Sequence, residues 1–242
     1  MDFIEPIKYP LRDIRKLIVG GLLIFPGILL LIPCFIISGY MIKVAGETVK
    51  GKDALPGFDD PIYLIKKGLG SFAISVVYSI IMLVAFIPCI LLFIAAAKVN
   101  SWMALLFILL GMIFLLIAFL IMLLLSLMQY IAYVRYGERG NFAAGFDFKE
   151  IFRNFKNNFA NYAVGFIILM GVSFVGSFII IPLEILFFVM MELGVSITPI
   201  IILGIVIGLF MVCGALYGIF LFYYMLVLIR MFAKIYAEKK VA

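Results

Sequence analysis

Five long stretches without a charged residue constrain this chain more than any other feature. They cover residues 17–42, 68–97, 99–134, 157–183 and 193–229. A helix rises about 1.5 Å per residue, so about 20 apolar residues cross the hydrocarbon core of a bilayer. Each stretch is long enough to cross once. Backbone amides find no water at that depth and must bond to one another, so the stretches are expected to be helical. The fold class that follows is all-α, a polytopic transmembrane helix bundle. Composition agrees, since 67% of the 242 residues are hydrophobic and 13% are charged, about half the charged share of a soluble domain. A soluble chain of this size could not hide so much apolar surface. Nucleic-acid readers, cytosolic enzymes and secreted disulfide scaffolds are excluded on that ground.

Little in the sequence points to catalysis. There is no histidine, which removes the commonest general base and a frequent metal ligand. Cys34, Cys89 and Cys213 all fall within apolar stretches and read as small buried hydrophobes. No phosphate-binding glycine loop, nucleophile elbow or zinc signature is present. No catalytic residue, metal or cofactor is expected. Asp2 and Glu5 spoil the basic start of a cleavable signal, so the first apolar stretch is expected to remain.

The chain also repeats itself. Phe3-Ile4-Glu5-Pro6-Ile7 resembles Phe58-Asp59-Asp60-Pro61-Ile62, and in the same register Ile32-Pro33-Cys34 meets Ile87-Pro88-Cys89. A looser copy places Gly145-Phe146-Asp147 against Gly57-Phe58-Asp59. Tyrosine precedes a basic residue at Lys43, Arg135 and Arg230, as at a membrane exit. One integral membrane domain over 1–242 is expected, in three units of roughly 1–56, 57–144 and 145–242. Each unit would comprise an amphipathic segment, an ingoing helix and a returning helix.

Charge bears on the first stretch. If residues 17–42 entered and returned on one face, all but one of the 19 Lys and Arg residues would share that face, as the positive-inside rule favours. Yet 26 uncharged residues are short for two full spans, which need about 40. A shallow re-entrant hairpin and a single kinked span both remain open. The basic face, with the N-terminus, is expected to be cytoplasmic in a cell membrane.

On that face, Phe148, Phe152, Phe155 and Phe159 recur at helical spacing, with Arg153 and Lys156 on other sides. An aromatic stripe beside basic residues fits a helix lying in the headgroup plane. These six residues are the candidate lipid contacts, and anionic headgroups the expected partner. A membrane or cytoplasmic protein partner is the other possibility, and no nucleic acid is expected. Asp53, Asp59 and Asp60 form a second candidate group, a carboxylate cluster able to hold a cation. Helix capping by Asp60 competes with that reading. Asp147 with Glu150 has capping-box spacing. Glu184 and Glu192, away from the basic face, are candidates for an outer mouth.

The run Gly39-Tyr40-Met41-Ile42-Lys43, then Gly51-Lys52-Asp53-Ala54-Leu55-Pro56-Gly57-Phe58-Asp59-Asp60, resembles a known family. It is similar to the mostly archaeal membrane proteins of domain-of-unknown-function family four thousand and thirteen. Gly137-Glu138-Arg139-Gly140 and Ala144-Gly145-Phe146-Asp147 also look similar to it. The resemblance implies a membrane protein class and no catalytic residues. Three functions compete. The first is a non-catalytic protein that organises lipids or docks a partner at its basic aromatic face. The second is a transporter or channel with a path between units. The third is a membrane enzyme using Asp53, Asp59 and Asp60.

Overall fold

The computed structural model describes residues 2–27, 31–99, 102–192 and 200–238, all helix, turn or coil. Among these residues eight α-helices follow one another: α1 (Glu5–Lys8), α2 (Ile14–Gly27), α3 (Leu31–Val49), α4 (Pro61–Lys98), α5 (Trp102–Arg139), α6 (Phe148–Asn157), α7 (Phe159–Glu192) and α8 (Ile200–Glu238). Five of them contain segments long and apolar enough to cross a membrane. The protein is a multi-pass membrane helix bundle.

Helix ends are set by residues the sequence displays. Asp60 accepts a bond from the Tyr63 amide (2.9 Å) with proline at the first helical position, so α4 starts with a capped and pre-shaped turn. Asp147 caps α6 through the Glu150 amide (3.2 Å). α3 ends in a Schellman turn, with the Lys52 amide donating to Glu47 O and the Gly51 amide to Thr48 O. Gly51 (φ 77°) and Gly140 (φ 70°), just past α3 and α5, sit in the left-handed region, where a side chain is strained.

Helices α3, α5 and α8 pack against one another in the middle of the bundle. Around them, α4 lies on α3 and α5, α2 on α8 and α3, and α7 on α8. Glycines let the backbones close. A Cβ on Gly39 would stand 1.8 Å from Leu64 O, one on Gly46 2.3 Å from Gly137 O, and one on Gly218 2.5 Å from Gly21 O.

The first apolar stretch is a hairpin. α2 and α3 pack together, and the start of α2 meets the loop that follows α3. Lys16 Nζ donates to Leu55 O (2.7 Å) and the Tyr9 hydroxyl to Ala54 O (3.3 Å). Chain entering through α2 therefore comes back to the same end, and a single kinked span is excluded. With 14 residues, α2 is about 21 Å long, short of the ~30 Å core.

The core sits toward the basic end. Leu64, Ile74 and Tyr78 of α4 and Leu127, Met128 and Ile131 of α5 belong to it. Farther along, these two helices touch chiefly each other, with Gly111 against Phe93, while Leu83, Leu91, Leu105 and Leu116 face outward. Such a pair, apolar all round, suits lipid as its surroundings.

Candidate functional site

Two buried arginines organise the basic end. Arg230, on α8, is 1% exposed. Its guanidinium donates to Glu5 Oε1 (3.0 Å), Thr48 Oγ1 (3.0 Å) and Lys52 O (2.7 Å), pairs with Asp53, and lies over the Tyr9 ring at 4.2 Å. Glu5 also meets Lys234 (2.7 Å) and Arg12 (3.2 Å). Burial pushes the Glu5 carboxyl up, but Arg230 and Lys234 outweigh that and hold it below its ordinary value of 4.5. The hydrogen bond from Arg230 keeps Asp53 below 3.8. Burial raises the Tyr9 phenol to about 12.

Arg135, on α5, is 2% exposed. It donates to Asp147 Oδ2 (2.8 Å), Glu150 Oε2 (3.3 Å) and Ala144 O (3.3 Å). Lys43, on α3, does the analogous thing with Gly57 O (2.9 Å). Lys43 and Arg135 thus each hold the Gly-Phe-Asp stretch, or the residue before it, in the loop that follows their own helix. Arg230 instead reaches back to Glu5, the residue that matches Asp60 in the sequence repeat. That is why Glu5 caps nothing: the helix begins without a side-chain cap, and its carboxylate is turned to cations.

Between α5, α6 and α8 lies a cleft of about 410 Å³. Its walls carry Arg135, Arg139, Glu150 and Arg153, with Asn154, Asn157, Asn158 and Tyr236. Arg153 pairs with Glu150. The Tyr162 hydroxyl donates to Asn154 Oδ1 (2.7 Å), and Asn158 Nδ2 donates to Asn154 O (3.1 Å). Three arginines and one carboxylate line it with three amides and Tyr236, whose hydroxyl donates to Glu138 Oε2 (3.0 Å).

Beside the cleft, the phenylalanine stripe divides. The helix breaks at Asn158, so Phe159 opens α7. Phe152 is 55% exposed, and Phe148 and Phe159 are also exposed, whereas Phe155 is 6% exposed. Phe155 stacks on Tyr162, 6.2 Å between centroids, and meets Phe159 edge-on. Ile151 turns inward beside it. The core-facing side of α6 is therefore centred nearer Ile151 and Phe155 than the stripe's spacing suggests. Arg153 and Lys156 stay on the exposed side.

Asp53, Asp59 and Asp60 do not act as one cluster. Asp53 pairs with Arg230, Asp60 caps α4, and no group of three Cys, Asp or Glu residues fit for a metal exists among the described residues. The side chains of Glu184 and Glu192 lie outside the described residues. Gln129 reaches its neighbouring helix indirectly. Its Nε2 donates to the Tyr133 hydroxyl (2.5 Å), which is 2.5 Å from Ser75 Oγ of α4. Sequence reasoning missed Arg135 and Arg230 as interior anchors. The Tyr-then-basic pattern marked both positions, but interface arginines carry the same mark.

Residues 22–185 match the model of a protein family of unknown function, DUF4013. The uncharacterized protein MJ1189 of Methanocaldococcus jannaschii is 33% identical over 135 residues, which cover 56% of this chain and 46% of that protein. The chain thus spans less than half the length of that curated relative. No solved structure matches. With more than half of its length matched, from within α2 into α7, this chain belongs to the DUF4013 family of unknown function.

Proposed function

We propose that this protein is a non-catalytic component of the cell membrane that gathers anionic lipid headgroups at its basic, aromatic end. One observation carries the reading. Every Lys and Arg among the described residues except Lys98 lies toward one end of the bundle, and Phe148, Phe152 and Phe159 are exposed beside them. Basic side chains near a headgroup layer attract anionic lipid at about 1 kcal/mol each, and aromatic rings settle at the same depth. In this arrangement α6 lies in the headgroup plane and the basic end faces the cytoplasm. The experiment is lipid analysis of the protein extracted from a mixed anionic and neutral membrane. A variant with the exposed Phe152 changed to Ser retains less anionic lipid at unchanged thermal stability. Equal retention, or a protein partner released in place of lipid, would overturn the reading.

A solute path between helices has one observation in its favour. The Tyr78 hydroxyl, one turn along α4 from Ser75, is buried and has no hydrogen-bond partner among the described residues. A buried polar group without a partner costs about 1–3 kcal/mol, and a passing polar solute would relieve it. Solute flux into proteoliposomes that Tyr78→Phe abolishes would favour this second reading over the first.

A further inference from the structure

We infer that the cleft between α5, α6 and α8 is a site for a phosphate group, and that its occupant is a lipid headgroup phosphate or a free phosphate ion. This rests on the lipid reading above and deepens it by naming the site and the chemistry.

Charge supplies the first reason. Arg135, Arg139 and Arg153 converge on the cleft, with Glu150 the one carboxylate among its lining residues. Arg135 is spent on fixed partners, since Asp147, Glu150 and Ala144 O take its donors. It forms a rigid wall whose charge Asp147 and Glu150 balance. Arg139, by contrast, is exposed at the end of α5, and no acidic partner for it appears among the salt bridges of the described residues. Arg153 is tied on one side to Glu150 and keeps further N–H donors, as a guanidinium has five. A phosphate offers acceptors in the geometry that arginine forks match.

Donor supply is the second reason. The Oδ1 of Asn154 is occupied by the Tyr162 hydroxyl, which leaves its amide N–H groups as the donors it offers. Anions need donors, and a wall of arginine and amide provides them, while the neighbouring Glu138 carboxylate is taken up by the Tyr236 hydroxyl (3.0 Å). The volume of about 410 Å³ lies at the small end of ligand pockets, suited to a headgroup rather than a whole lipid.

The test uses the full chain in detergent micelles, titrated with short-chain phosphatidylglycerol, with inorganic phosphate and with short-chain diacylglycerol, followed by native mass spectrometry and calorimetry. Phosphatidylglycerol binds and diacylglycerol does not. Arg139→Gln weakens phosphatidylglycerol about tenfold, in line with loss of a charge-assisted bond. Lys66→Gln with Lys149→Gln, at exposed positions of α4 and α6 outside the lining, changes it less than twofold. Glu150→Gln tightens it, because the competing carboxylate is gone. Phosphate that binds as tightly as the lipid, with the same Arg139→Gln loss, assigns the site to the free ion. Phosphate that binds far more weakly assigns it to the headgroup. Equal weakening by Arg139→Gln and by the lysine pair would overturn the cleft while leaving the general lipid reading intact. Anionic lipid binding that none of these variants alters would overturn both.

Discussion

Arg230 shows what single residues do here. Its guanidinium satisfies Glu5, Thr48 and the Lys52 carbonyl from inside the protein, so losing it leaves Glu5 with fewer partners in a half-buried place. Breaking a buried pair from one side costs about 3–5 kcal/mol. Arg230→Ala is therefore expected to lower thermal stability in micelles severely, and Arg230→Lys to recover only part of it. Acid acts on the same group. Glu5 and Asp53 titrate below their ordinary 4.5 and 3.8, so the stability they give is complete above those values and drains as pH falls through the lower, folded-state values. Glu5→Gln should be less stable than wild type at pH 7, with the gap closing as pH falls below 4.5 in melting curves. Glycine contacts make a second residue-scale case. Gly39→Ala puts a methyl against the Leu64 carbonyl, whereas Gly208→Ala meets nothing within 4 Å. Overpacking costs about 1–3 kcal/mol, so the first variant should melt earlier and the second should not.

Among the elements, α6 carries the contrast between what sequence spacing shows and what packing decides. The stripe at residues 148, 152, 155 and 159 correctly marks a helix, its capping aspartate and a basic side. It does not show which edge turns inward, because Ile151 extends the apolar arc on one side and only contact with Tyr162 and Arg135 fixes the rotation. Nor does it show the break at Asn158, whose amide side chain ties back to Asn154 O. Phe155→Ser should destabilise the protein by about 3 kcal/mol, the scale of a large-to-small core change, while Phe152→Ser leaves melting unchanged. The α4 and α6 starts and the long spans were legible, since capping and length are local. The cleft was not, because its residues come from three helices separated by long stretches of sequence.

At the scale of the whole molecule, the first hairpin sets the sidedness. A label on Asp2→Cys and one on Lys98→Cys should react from opposite faces of sealed vesicles; reaction from one face would contradict the return of α2 and α3 to the basic end. Charge counting pointed to this arrangement, and residue counting argued against it; a 14-residue α2 is shorter than a full crossing needs. The bond between Glu5 and Arg230, 225 residues apart in sequence, has a consequence for biogenesis. At roughly 5–20 residues per second, the opening segment waits on the order of ten to forty-five seconds after its own synthesis before its partner leaves the ribosome. During that interval Glu5, Arg12 and Tyr9 have no Arg230 to close on, and the nascent chain is an unlatched assembly whose first hairpin must be held by lipid or by the insertion machinery. Ribosome-stalled chains that stop short of α8 should therefore be cut near residue 8 by added protease, and chains stalled beyond the emergence of Arg230 should resist.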